Sequence, residues 1–278
     1  MEWSKAKSML IALFLILNIV LAASILNRAF DNRSDKEMMS DVLQIIENRG
    51  VSLHCSIPTN IAESKLLVCE DNDTFFNAAL DMIQQEISHN MRNDTASVVE
   101  VSGLNDFHYR FEEQPERITM ISIDETDSEL RAALKVRGID LSAFEKDFEM
   151  WDEHGNLKIR YVMRFNDSLI FDNEIVIFLN GNGQILEIIG NYREIKSFSE
   201  NDPMKVIPPY QILLKHYYKP DQVISKIELG FMDQSKESHF IESEEGAVWR
   251  IRLEDGTERF FEATYGDEIF VEAGINAV

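Results

Sequence analysis

The sequence predicts an α+β protein, with a single N-terminal transmembrane helix followed by a two-part ectodomain of antiparallel sheets with packed helices. Three observations carry that prediction. Residues 9–26, MLIALFLILNIVLAASIL, hold no charge; the first half of the remainder shows apolar residues at helical spacing behind capping boxes; the second half alternates polar and apolar residues between glycine-bearing turns. The expected division is a cytoplasmic N-terminus at 1–8, the span at 9–26, an α+β part at 34–137 and a β-rich part at 150–278.

At ~1.5 Å rise per residue the apolar run covers roughly 27 Å of a hydrocarbon core ~30 Å thick. Lys5 and Lys7 outweigh Glu2 ahead of it, and Trp3 suits the headgroup level, which places the N-terminus in the cytoplasm. A cleaved signal peptide also fits a basic start and the small residues Ala22, Ala23 and Ser24, but Asn18 and the length favour a retained helix. Either way the rest is exported. Ile11, Leu15, Asn18, Ala22 and Ile25 fall on one helical face, where an amide in hydrocarbon seeks a partner on another helix and Ala22 allows close approach. The competing reading is a lipid-facing anchor that tolerates one polar residue.

Removing Lys5, Lys7, Arg28 and Glu2 with residues 1–28 leaves 24 basic and 48 acidic side chains, a formal charge of −24 on the exported part. Such a balance excludes a nucleic-acid partner and docking onto anionic lipid, and reads most simply as a solvated surface. Cys55 and Cys69 would close a loop worth ~3 kcal/mol if bridged in an oxidising compartment, and equally fit as unlinked small hydrophobes. N-x-S/T triplets begin at Asn32, Asn72, Asn93 and Asn166.

In chain order, Ser34–Glu37 forms a capping box for a helix carrying Met38, Val42, Ile45 and Ile46, stopped by Gly50. Val51, Leu53, Cys55 and Ile57 alternate as a strand, and Leu66–Val68 is a second apolar run. Asp73 caps an amphipathic helix through Phe76, Leu80, Ile83 and Ile87; a calcium loop at Asp71 and Asp73 lacks its glycine and distal glutamate. Strands are expected at Val98–Val101, around Phe107, Tyr109 and Phe111, and at Ile118–Ile123. Thr126–Glu129 repeats the capping box before a helix bearing Leu130, Ala133 and Leu134, which accounts for the acidic run at 124–129. Residues 138–156, with turn formers and mixed polarity, hold the boundary between the two parts.

Beyond it, Leu157, Ile159, Tyr161, Met163 and Phe165 alternate with Lys158, Arg160 and Arg164, one dry face and one wet. Glu174–Leu179 reads as a central strand, and Asn180–Gly183 as a hairpin turn into a strand at 184–192; a phosphate loop is discarded because no helix follows. Pro208 and Pro209 open a helix with Tyr210, Leu213, Leu214 and Tyr217, on which His216 lacks a second ligand at metal spacing. Ile227, Leu229 and Phe231 form a strand, and a mobile acidic connection follows at 233–245. For the last hairpin, a two-residue loop would oppose Arg252 to Arg259. A three-residue loop, Glu254-Asp255-Gly256, opposes Trp249 to Phe261 and Arg252 to Glu258 and is preferred, with Trp249, Ile251, Phe261, Ala263 and Tyr265 sharing a face.

None of the hydrolase, metalloprotease, Walker, C-x-x-C or dinucleotide motifs occurs, and the six histidines are scattered. With no catalytic or metal constellation to select, no cofactor is expected. The alternative is an exported cell-wall enzyme or ligand-binding protein using a carboxylate pair that linear sequence does not pick out.

Trp3, Ser4, Lys5, Lys7, Phe14, Leu17, Asn18 and Leu21, in W-S-K-x-K followed by A-L-F-L-I-L-N-I-V-L, resemble the start of the YycI family of membrane regulators. L-K-V-R-G-I-D at Leu134–Asp140, Y-V-x-R-F-N-D-S-L-I-F-D-N at Tyr161–Asn173 and V-W-R-I at Val248–Ile251 resemble the family's second half. The resemblance implies a single-pass, non-catalytic protein of the cell membrane with an extracytoplasmic α+β ectodomain. It also implies action, with a YycH-like protein, on a WalK-like sensor histidine kinase.

Overall fold

The computed structural model describes residues 13–21, 39–59, 63–71, 98–101, 106–110, 123–136, 139–233 and 242–270. The capping box at Ser34–Glu37, the helix expected from Asp73 to Ile87, residues 118–122 of an expected strand and 234–241 of the acidic connection lie outside the described residues, as do Asn32, Asn72 and Asn93.

Helices are α1 (residues 13–21), α2 (39–48), α3 (Ile123–Val136) and α4 (Pro209–Lys215). Strands in the first half are β1 (Ser52–Leu53), β2 (Glu63–Ser64), β3 (Leu67–Asp71), β4 (Val98–Val101) and β5 (Asp106–Arg110). A 3-10 turn at Leu141–Ala143 leads into β6 (Phe144–Trp151), β7 (Leu157–Phe165), β8 (Ser168–Leu179), β9 (Ile185–Asn191), β10 (Arg193–Phe198) and β11 (Met204–Lys205). The chain then forms β12 (Val223–Met232), β13 (Glu242–Leu253), β14 (Glu258–Glu262) and β15 (Glu268–Ile269). Among the described residues thirteen strands make one sheet, along the path β10-β3-β13-β12-β8-β9-β5-β4, with β6–β7 joined to β8, β14–β15 to β13 and β1 parallel to β12. Strands from both halves of the chain share it. The mostly antiparallel sheet with a few helices is the α+β class that the sequence predicts.

Turn chemistry sets the hairpins. Asn166 and Asp167 take φ of 46° and 65° in the two-residue loop that pairs Phe165 with Ser168, as a type I′ turn requires. After β8, Asn180 and Gly183 close the expected turn through Gly183 N–H to Asn180 O at 2.9 Å. The last hairpin has the three-residue loop, with Trp249 opposite Phe261, Arg252 opposite Glu258 and Gly256 at φ +84°, where a Cβ would be strained.

One core holds Val42 and Ile46 of α2, Leu130 and Leu134 of α3, Ile212 and Leu213 of α4, and the odd-numbered side chains Ile159, Tyr161, Trp249, Ile251 and Phe261 of the sheet. Trp249 anchors it as expected and donates its indole N–H to Ile207 O at 2.9 Å. A smaller core of Val162, Phe171, Met232, Val248 and Phe260 lies on the other face.

Several expectations are corrected. Helix α3 begins at Ile123, so Ile123 ends no strand and Thr126–Glu129 lies inside the helix; Asp127 serves instead as acceptor for Tyr161 O–H at 2.6 Å and Arg131 Nε at 3.0 Å. Residues 144–151, read as part of a polar connection, are strand β6, whose bulge between Lys146 and Phe148 blurs the period. Only Ser52 and Leu53 of the 51–57 alternation pair as a strand. Tyr217 lies beyond the end of α4, and Tyr265, 70% exposed, leaves the face assigned to it because the chain turns at 263–265. The face of β7 expected to be wet is exposed at Arg164 alone: Lys158 and Arg160 are buried.

Candidate functional site

Strand alternation sends Lys158 and Arg160 of β7, Glu174 of β8, Glu228 of β12, Arg250 and Arg252 of β13 and Glu258 of β14 to the face opposite the main core. Asp147 of β6 joins them. Arg250 is 0% exposed, so the arrangement survives only if its charges are paired. Asp147 grips Arg250 through two parallel bonds of 2.7 Å and also pairs with Arg252. Glu258 accepts from Arg252 Nε at 2.7 Å, Arg250 at 3.3 Å and Arg160 at 2.5 Å. Glu174 pairs with Arg160, and Glu228 with Arg250 at 2.5 Å. Arg250 also lies over the Phe171 ring, 4.4 Å from its centroid.

The electrostatics follow from this packing. Burial pushes the Asp147 carboxyl up, but the bonds and charge of Arg250, with Arg252 and Arg160, outweigh it and hold it down at about 2. Glu258 is likewise held low against its burial by Arg160, Arg250 and Arg252. Glu174 goes the other way, since its burial outweighs Arg160. Burial lowers Lys158.

Over this layer opens a cleft of about 680 Å³, bordered by Phe148, Lys158, Arg160, Arg252, Phe260 and Phe270 among others. Its size suits a small ligand or a peptide segment. Lys158 reaches it between the Phe148 and Phe178 rings, 5.9 and 5.6 Å from their centroids.

A second buried cluster marks the point where β13 changes partners. Glu245 is the last residue paired to β3 and Gly246 the first paired to β12. Asp172 sits in a bulge where β8 places residues 171–173 between consecutive β7 partners, and it accepts the Asp233 backbone N–H at 2.8 Å. Arg193 pairs with Asp233 at 2.5 Å, and the Asn173 amide clamps the Arg193 backbone, accepting its N–H at 3.0 Å and donating to its carbonyl at 2.8 Å. Burial, then the Asp172 charge, pushes Glu245 up to about 8; burial also raises Asp172 and the Cys69 thiol. Cys55 and Cys69 are both free thiols.

Of the residues singled out at the N-terminus, Phe14, Leu15 and Asn18 lie on α1 with their side chains exposed, and Trp3, Lys5, Lys7, Ile11, Ala22 and Ile25 lie outside the described residues. Asn18 Nδ2 donates to Phe14 O at 2.9 Å, one turn back along its own helix. Among the described residues no helix is long and apolar enough to cross a membrane, and no group of three or more His, Cys, Asp or Glu is placed to hold a metal ion. His54 meets Glu254 at 2.7 Å, His216 meets Gly266 O at 2.7 Å, and His108 pairs with Glu187. The charged layer and its cleft escape sequence reasoning. Their one linear signal is a pair of cations two apart on each of two strands, Lys158 with Arg160 and Arg250 with Arg252, whose intervening residues are core.

An uncharacterized protein from Eubacterium rectale shares 9% identity over 80% of this chain and 91% of its own, with a TM-score of 0.47. The C-terminal domain of YpeB from Bacillus megaterium shares 12% identity over 73% of this chain and 97% of its own, with a TM-score of 0.39. No curated protein matches. The model of the family described as YycI protein matches residues 31–273, nearly the whole chain after the apolar N-terminal run, and the chain belongs to the YycI family.

Proposed function

We propose that the chain is a non-enzymatic regulator of a WalK-like two-component sensor histidine kinase. In this reading it is held in the cell membrane by residues 9–26, has its N-terminus in the cytoplasm, and acts with a YycH-like protein. The family match is the observation that carries this reading. Helix contact in the bilayer is its working part, supported by the apolar side chains of α1, with Phe14 63% and Leu15 58% exposed. They are free to meet lipid or another helix. Asn18 refines the energetics. Its amide donates one N–H to Phe14 O, which leaves the second N–H and Oδ1 for a neighbouring helix, a contact worth ~0.6–2 kcal/mol.

Site-specific crosslinking at position 18 in native membranes is expected to capture the kinase or the YycH-like partner. Asn18→Leu is expected to change kinase-dependent transcription, by less than removal of residues 1–28 does. Unchanged transcription in Asn18→Leu, together with full regulation by an ectodomain lacking residues 1–28, would remove the helix from the mechanism.

A further inference from the structure

Lys158 stands apart in the cleft. Its side chain is 8% exposed, yet among the described residues it meets no carboxylate at ion-pair distance, only the two phenylalanine rings. The other cations bordering the cleft are committed: Arg160 to Glu174 and Glu258, Arg252 to Asp147 and Glu258, Arg259 to Glu268 at 2.7 Å. So are the acids of the rim. Glu149 has Lys146 at 3.2 Å, Glu254 has His54 at 2.7 Å, and Asp255 accepts the Thr257 N–H at 2.8 Å. A cation entering the cleft finds its carboxylates already bonded. An anion finds the Lys158 ammonium largely buried, influenced by the charges of Glu174 and Glu258 but without an ion-pair partner of its own, and finds apolar side chains lining the same cleft in Phe260, Ile269 and the 86% exposed Phe270. The acidic rim disfavours a dianion such as a phosphate monoester relative to a monoanion, and a carboxylate is the monoanion that an apolar acid or a peptide C-terminus carries.

We propose that this cleft is a binding site for a carboxylate on an apolar body, with the carboxylate taken by Lys158 Nζ and the body laid against Phe260, Ile269 and Phe270. The ligand is then either a free aryl or alkyl acid, or the C-terminal carboxylate of a peptide that ends in an apolar residue. The site is independent of the helix contacts argued for α1, and its loss would leave them standing.

The test uses the full chain in nanodiscs of neutral lipid, titrated calorimetrically with hydrocinnamate and its amide, and with an N-acetylated tripeptide ending in phenylalanine as free acid and as C-terminal amide. At least one acid is expected to bind about tenfold tighter than its amide, the difference of an ion pair worth roughly 1.4 kcal/mol, and which one does so identifies the source. Lys158→Met is expected to erase the preference and Lys158→Arg to keep most of it. Phe270→Ala, at an exposed position that cannot unfold the sheet, is expected to weaken acid and amide together. Equal binding of acid and amide, no binding of either pair, or a preference that survives in Lys158→Met overturns the proposal.

Discussion

Glu258 accepts hydrogen bonds from Arg160, Arg250 and Arg252 at once, so its removal leaves three buried guanidiniums one carboxylate short. Breaking a buried ion pair from one side costs ~3–5 kcal/mol, whereas an exposed pair is worth ~0–1 kcal/mol. The chain contains its own control in Glu145, paired to Arg164 at 2.5 Å with both side chains about half exposed. Glu258→Gln is therefore expected to lower unfolding stability in urea by ~3 kcal/mol and Glu145→Gln by less than ~0.5 kcal/mol; equal effects would show the layer to be energetically idle. Residue identity announced the pairing of Arg252 with Glu258 through hairpin register, because that contact is local. Asp127 shows the opposite case. Its sequence neighbourhood describes a helix cap, and the hydroxyl that binds it comes from Tyr161 on another element.

Strand β7 shows how far periodicity reaches at the scale of an element. Its alternation marks Leu157–Phe165 as a strand and separates an apolar face from a charged one. Alternation says which face differs in chemistry, not which face water touches. Phe148 from β6 and Phe178 from β8 decide that for Lys158, and Asp147 and Phe148 from β6 with Glu258 from β14 decide it for Arg160. Gly230 on β12 makes a related point, since nothing local marks it. A Cβ there would stand 2.5 Å from Leu169 O and 2.6 Å from the Phe171 ring, where β12 runs parallel to β8. Backbone cannot yield as a flexible side chain does, so Gly230→Ala is expected to cost at least ~1–3 kcal/mol of overpacking. It should also accelerate hydrogen exchange in the β12–β8 pairing while sparing the β13–β14 hairpin. Wild-type exchange rates in that variant would mean that the two strands have room to part.

Across the whole molecule, one sheet joins strands on both sides of residues 138–156, and the cluster at the change of partners on β13 makes that joint sensitive to pH. Glu245 faces Asp172, Asp233, Cys69 and Arg193, and its folded pKa of about 8 lies above the unfolded value of 4.5. Below pH 4.5 both states hold the proton, so the stability is fully present; between 4.5 and 8 only the folded state holds it, and stability falls as pH rises, by at most about 1.4 kcal/mol per unit. Asp172 acts in the same direction. Asp147, held at about 2, acts oppositely, and its contribution is lost only as pH drops below the unfolded value of 3.8. Urea unfolding from pH 5 to 8 is thus expected to show a decline that Glu245→Gln flattens, and parallel profiles for the two proteins would discard the buried proton.

By itself the sequence determined the strand and helix periods, the hairpin registers, the acidic balance and the resemblance to the YycI family, because each depends on residues close together in the chain or on composition. Tertiary structure alone decided that the charged face of the sheet is buried, that it is paired and that it bears a cleft. The bond between Asp147 and Arg250 spans 103 residues of sequence, and the access of water to either depends on strands that no local pattern brings together.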